Sequence, residues 1–142
     1  MQIRELTIDD YDRLIGVWKE AGLPYRPSGR DRRDRVAQEM ADSRSAFLAA
    51  EEDGSILGVV IATHDGRKGW VNRLAVVPHA RRLGIAASLV AAAEERLAAQ
   101  GLRIIACLIE TENDASLSLF ATLGYTRWDD IVYHAKRLDP DV

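Results

Sequence analysis

Apolar positions recur along this chain in two alternating rhythms, and their order predicts a mixed α/β domain. Residues 2–6 read as a first strand. Tyr11, Leu14, Ile15 and Trp18 then repeat at helical spacing behind capping groups supplied by Thr7, Asp9 and Asp10, which predicts a helix to about Ala21, stopped by Gly22 and Pro24. A second helix, 31–42, has Val36 and Met40 as its buried stripe. Its opening run of mixed charge, Asp31-Arg-Arg-Asp-Arg35, reads as a solvated face. Strands at 46–51 and 55–63 meet at Asp53-Gly54, a dipeptide suited to a tight hairpin turn, and Gly58 marks a bulge or a close backbone approach. A turn at 64–69, which accounts for His64 and Asp65, leads to a central strand, 70–77. A long alanine-rich helix, 84–100, follows and ends at Gly101. A fifth strand at 102–109, apolar on both faces, precedes a helix at 113–123 closed by Gly124. A hairpin of 125–128 with 131–136 about Asp129-Asp130 completes the sheet. One domain over 1–138 and a tail at 139–142 result, with no repeat or linker.

Composition narrows the class. A chain of 142 residues, 47% hydrophobic and 29% charged, is one domain with enough length for a real core. A formal charge of -3 argues against nucleic acid as a partner, because dedicated binders carry a basic surplus. No segment approaches the roughly 20 apolar residues needed to span a bilayer, so no membrane partner is expected. The single cysteine, Cys107, excludes an internal disulfide and suits a reducing, cytoplasmic setting; its alternation places it in the structure rather than in chemistry.

The pattern changes character at 74–88. An apolar run ends at Pro78, a basic turn follows, and Gly84-Ile85-Ala86-Ala87 opens the long helix. The first amides of a helix have no partner inside it, and the aligned peptide dipoles place about half a positive charge there. Phosphate fits that geometry. Gly84 lets an anion approach the backbone, Ala86 and Ala87 keep the first turn slim, and Arg81 and Arg82 add charge-assisted donors, so the stretch reads as a pyrophosphate cradle.

At these residues the chain resembles the GNAT N-acetyltransferase superfamily. That family's acetyl-coenzyme A loop reads Arg/Gln-x-x-Gly-x-Gly/Ala, and here it is Arg81-Arg82-Leu83-Gly84-Ile85-Ala86. A second block, 113–125, lies at the separation the family shows, and the resemblance covers nearly the whole chain. It implies an α/β acyl-CoA N-acyltransferase fold: a mixed, mostly antiparallel sheet whose fourth and fifth strands splay apart, flanked by about four helices. It implies acetyl-CoA as co-substrate, with no metal, its diphosphate on residues 81–87 (Leu83 and Ile85 included) and its pantetheine arm pairing along Leu74, Ala75 and Val76. The Leu74 amide would hold the thioester carbonyl. Asn113, with Ser116 nearby, would contact the pantetheine. Phe120 stands where family members often carry a tyrosine that protonates the departing thiolate, which Phe120 cannot do; Tyr125, Tyr133 or water are the substitutes. The connection between the first two helices commonly walls the acceptor site, which makes Tyr25, Arg26 and Arg30 acceptor contacts. A homodimer through late strands is a further expectation by resemblance.

Transfer to an amine needs the amine deprotonated, the oxyanion held and the thiolate stabilised. An alkyl ammonium is only about one part in a thousand free amine near neutrality, so a base is useful. Alternation along the fifth strand puts Ala106, Leu108 and Glu110 on one face and Ile105, Cys107 and Ile109 on the other. Glu110, at the strand's end, is the first candidate for general base, with partial burial raising its carboxyl toward the working pH. Some family members place a glutamate base early in the fourth strand, where this chain has Trp70. Asn72 and Arg73 are polar residues in an apolar strand and are expected to meet the acceptor or a bound water. The arginines lean toward an acceptor bearing carboxylate or phosphate. The leading reading is acetyl transfer from acetyl-CoA to a primary amine by direct attack in a ternary complex. The alternative is a non-catalytic acyl-CoA-binding or sensing module. A dinucleotide-binding domain is a poor third reading, because Gly84 lacks the companion glycines and no alternating βαβ series exists.

Overall fold

The computed structural model describes residues 1–140; Asp141 and Val142, half of the expected tail, lie outside the described residues. Five strands form one sheet in the order β1 (Gln2–Glu5), β2 (Ser45–Glu52), β3 (Ser55–His64), β4 (Gly69–Val76) and β5 (Ile105–Ala106). The first four are antiparallel neighbours, and β5 runs parallel to β4. Four helices surround them: α1 (Tyr11–Ala21), α2 (Arg33–Ala41), α3 (Ile85–Ala99) and α4 (Asp114–Thr122). This is the expected mixed, mostly antiparallel α/β arrangement.

Consecutive residues 46–50 and 56–62 are buried apart from no position, so both faces of β2 and β3 are covered. Gly58 shows why α3 sits where it does. A Cβ there would lie 3.0 Å from both the Ala75 carbonyl oxygen and Leu89 Cδ1 and 3.2 Å from Ile85 Cγ2, so glycine lets the helix rest on the sheet. The ladder between β2 and β3 also slips beside it, which makes the position a bulge as well as a close approach. The hairpin turn at Asp53 and Gly54 has both residues at positive φ, as a tight turn of this kind demands. Arg4 bridges Asp10 and Glu51, joining the start of α1 to β2. Its guanidinium, through hydrogen bonds, holds the Asp10 carboxyl down at about 2.

The late part of the chain departs from expectation. Residues 102–109 yield only the two-residue β5, paired with Gly69 and Trp70. Burial on both faces is overturned: Ile104 and Leu108 are exposed, while Ile105, Cys107 and Ile109 pack on the core. The hairpin of 125–128 with 131–136 does not form. A two-residue strand offers little edge to build on, and a lone two-stranded ribbon is marginal in water. Trp128, Ile131, Val132 and Tyr133 are left exposed.

Candidate active site

The cradle is built by the turn between β4 and α3. Val77 and Pro78 open a single 3₁₀ turn, Pro78–Ala80, after which Arg82 and Gly84 both adopt left-handed backbone, φ 65° and 79°. Among the described residues, none of the amides from Arg82 to Ala87 finds an acceptor within the protein; the first to do so is Ser88, which donates to the Gly84 carbonyl at 3.1 Å. Six main-chain donors at the positive end of a 15-residue helix are thus free for an anion. Arg82, Leu83 and Gly84 are exposed, Ile85 is buried in the core, and Ala86 and Ala87 are half-buried. Arg81 is differently placed. Its Nε donates to the Val76 carbonyl at 3.1 Å and an Nη to the Ala21 carbonyl at 3.2 Å, so this guanidinium clamps the end of β4 to the end of α1.

The neighbouring strand is open where the resemblance requires it. Strand β4 pairs with β5 only at Gly69 and Trp70, so among the described residues no strand pairs with Leu74, Ala75 and Val76 on the edge away from β3, where the Arg81 side chain holds the Val76 carbonyl. The ladder to β3 slips there. Ile61 faces Asn72 and Val59 faces Ala75, so Val60 alone stands opposite Arg73 and Leu74. The extra residue makes a bulge, which takes one residue out of the ladder. Arg73 supplies the bend with φ 54°, a left-handed conformation that costs an L-residue about 1–2 kcal/mol.

The residues expected to meet the acceptor gather around Asp31. Sequence reading placed this residue on a solvated face, yet it is 7% exposed and α2 begins two residues later. Its carboxylate accepts the Arg26 amide at 2.7 Å, and its carbonyl accepts the Tyr11 hydroxyl at 2.6 Å. Arg30 Nε and Arg73 Nη2 each lie 3.8 Å from Asp31 Oδ2. The Arg73 guanidinium carbon stands 4.2 Å from the centroid of the buried Trp18 ring. Burial lowers the pKa of Arg73, opposed by Asp31. The loop carrying Tyr25, Arg26 and Arg30 is therefore brought to the β4 bulge. Asn72 donates to the Thr63 hydroxyl at 3.1 Å. No local signal marks Asp31 or Trp18 as site residues, because their meeting with Arg73 depends on chain segments far apart.

The expected acid–base groups are less gathered. Glu110 is exposed and outside any strand, so the partial burial expected of it is absent. Asn113 caps α4, accepting the Ser116 amide at 3.1 Å. Phe120 is buried, its ring edge-on to Tyr125 with centroids 4.9 Å apart. The Tyr125 hydroxyl donates to Glu94 at 2.6 Å; burial first, and then that carboxylate, push its pKa up and hold its proton. Tyr133 is exposed. Burial also raises the Cys107 thiol, in keeping with a structural role.

A turn of free amides thus lies beside an open, bulged strand, and comparison with known proteins gives the family of the chain that carries them. Residues 3–125 match the acetyltransferase (GNAT) family. An acetyltransferase from Sodalis glossinidius (strain morsitans) is 31% identical over 141 residues, covering 99% of this chain and 98% of that protein. The chain therefore belongs to the acetyltransferase (GNAT) family, whose members are acetyl-CoA-dependent N-acetyltransferases. Its fold is shared with AAC(6')-Iy solved with a bisubstrate analogue, at TM-score 0.82 and 22% identity, covering 96% of this chain and 97% of that one. It is shared too with the PaiA N-acetyltransferase of Thermoplasma acidophilum solved with coenzyme A, at TM-score 0.81 and 20% identity over 92% of each chain.

Proposed function

We propose that this protein moves the acetyl group of acetyl-CoA to a primary amine of a small molecule, by direct attack within a ternary complex. The observation that carries the reading is the row of unpartnered amides from Arg82 to Ala87 beside the free edge at Leu74, Ala75 and Val76. A diphosphate is the ligand such a row suits, and a pantetheine arm is the ligand such an edge suits. Leu83, Gly84, Ile85, Ala86 and Ala87 hold the diphosphate through their amides, with the Arg82 side chain adding charge and Arg81 bracing the loop. Asn113, Ser116 and Phe120 border the pantetheine arm.

Bound acetyl-CoA supplies an acyl carbon open to attack. The chain's part is to bind, orient and handle protons. The Leu74 amide, at the bulge, meets the charge that develops on the carbonyl oxygen. Tyr25, Arg26, Arg30 and Asn72 line the acceptor side, with Arg73 packed behind them against Trp18 and Asp31, and the charge of Arg26 and Arg30 favours an amine whose body also carries carboxylate or phosphate. Glu110 takes the ammonium proton, directly or through water, and its exposure makes the water-borne route the simpler one. With Phe120 in the acid's place and Tyr125 engaged by Glu94, the thiolate leaves as such and is protonated by solvent; a thiol pKa near ~8.5 makes that tolerable. Structural neighbours that acetylate aminoglycosides support a small polyamine as one class to screen. The deciding experiment is a CoA-release screen across amine classes, repeated with Glu110→Gln. Turnover by the wild type, reduced at least tenfold in the variant, is expected; no release with any amine refutes the enzyme and leaves a non-catalytic acyl-CoA-binding module, the reading that Phe120 and the exposed Glu110 favour.

A homodimer in the cytoplasm belongs to the same proposal. Trp128, Ile131, Val132 and Tyr133 are 69–72% exposed, with Ile104 and Leu108 also open. Exposed apolar side chains of this kind are what an interface between copies buries. A second copy is the occupant that supplies the same unpaired late segment in return. Sedimentation showing a dimer that Tyr133→Asp dissociates supports this; a monomer at tens of micromolar removes it.

A further inference from the structure

We propose that Arg73 is a positioning residue: its guanidinium, seated between the Trp18 ring and the Asp31 carboxylate, holds the β4 bulge at Leu74 and ties it to the acceptor-side loop. The inference rests on the transferase reading above and assigns this side chain a different task from touching the acceptor.

Three observations converge on it. Among the described residues, Arg73 is one of three non-glycine residues at positive φ; the others, Asp53 and Arg82, lie in turns, whereas Arg73 lies within a strand. A strand residue keeps such a conformation only where its surroundings over-determine it. Those surroundings are the side chain's own contacts: Trp18 of α1 at 4.2 Å and Asp31 of the loop at 3.8 Å. Finally, Arg73 Nε and Nη2 are shut off from solvent and have no hydrogen-bond partner. With those two donors buried and only 19% of the side chain exposed, the guanidinium is held by charge and by the ring face rather than by hydrogen bonds. Asp31 in turn fixes Arg26 through its amide and Tyr11 through its carbonyl, so a single carboxylate couples the loop to the strand. Loss of the guanidinium lets the bulge relax into the ladder and turns the Leu74 amide away from the oxygen it serves.

The test is steady-state kinetics with an amine accepted by the wild type, on Arg73→Met, Arg73→Lys and Asp31→Asn, with acetyl-CoA binding followed by thermal shift to confirm folding. Arg73→Met is expected to lower kcat at least tenfold with acceptor KM within threefold. Arg73→Lys, which keeps a cation against Trp18, recovers at least a third of wild-type kcat, and Asp31→Asn shows the same kcat-selective loss. A rise of tenfold or more in acceptor KM with kcat kept overturns the proposal in favour of direct acceptor binding, and a kcat within twofold of wild type in Arg73→Met overturns it outright. Should Arg73→Met fail to fold, a kcat loss in Asp31→Asn without an acceptor KM change carries the proposal, and its absence refutes it. Absence of wild-type turnover with every amine instead sinks the transferase reading, and this role with it.

Discussion

Gly84→Ala separates the binding role of the cradle from its place in the fold. Gly84 sits at φ 79°, ψ 7°, immediately before α3, and no heavy atom lies within 4 Å of where a Cβ would stand. The cost in the free protein is therefore backbone strain alone, about 1 kcal/mol, which in a domain of this size lowers Tm by about 3–5 °C. Binding is affected more. A methyl group in that open space holds the diphosphate off the amides of residues 82–87, and losing one or two charge-assisted hydrogen bonds of about 1.5–3 kcal/mol raises Kd for acetyl-CoA from about tenfold to a hundredfold or more. Gly66→Ala is the internal control: φ 87°, equally open, and in the turn between β3 and β4. Calorimetric titration and thermal melts on both variants should give matching losses of Tm but a weakened Kd only in Gly84→Ala. Equal affinity in the two variants, both folded, would refute the cradle.

Two further outcomes follow from the electrostatics and the hydrogen bonding. Asp10 is held at about 2 against an ordinary 3.8. A carboxyl with a depressed folded-state pKa adds stability that is complete above about pH 4 and is lost as pH falls through 2, amounting here to about 2 kcal/mol. Denaturation curves between pH 5 and 2 should show that loss in the wild type and a flatter profile in Asp10→Asn; parallel profiles would contradict it. Tyr125→Phe removes the 2.6 Å bond to Glu94 and should cost about 1–2 kcal/mol of stability while leaving kcat within twofold, since this hydroxyl is not the acid that protonates the thiolate. A kcat collapse with stability intact would return Tyr125 to that role.

The parts of this molecule that were legible in its sequence are those fixed by local chemistry. Gly84 after a basic turn, Asp53-Gly54 between two apolar runs, and Asn113 ahead of α4 each act through their own backbone neighbourhood, and each stands where the pattern put it. The Arg73 bulge was not legible, because it arises from a register slip between β3 and β4 that no single strand records. Burial of Asp31 was hidden in a charged run for the same reason: its partners Tyr11 and Arg73 come from distant segments. The late strands misled in the opposite direction. Residues 131–136 alternate like a strand, but alternation supplies no edge to pair with, and the two-residue β5 supplies almost none.

Amide-resolved NMR during a titration with coenzyme A tests the central claim most directly. The account predicts that the largest shifts on binding fall on the main-chain N–H groups of residues 82–87, with a second set at Leu74, Ala75 and Val76. Saturable binding that leaves those resonances in place, and moves others, would contradict it.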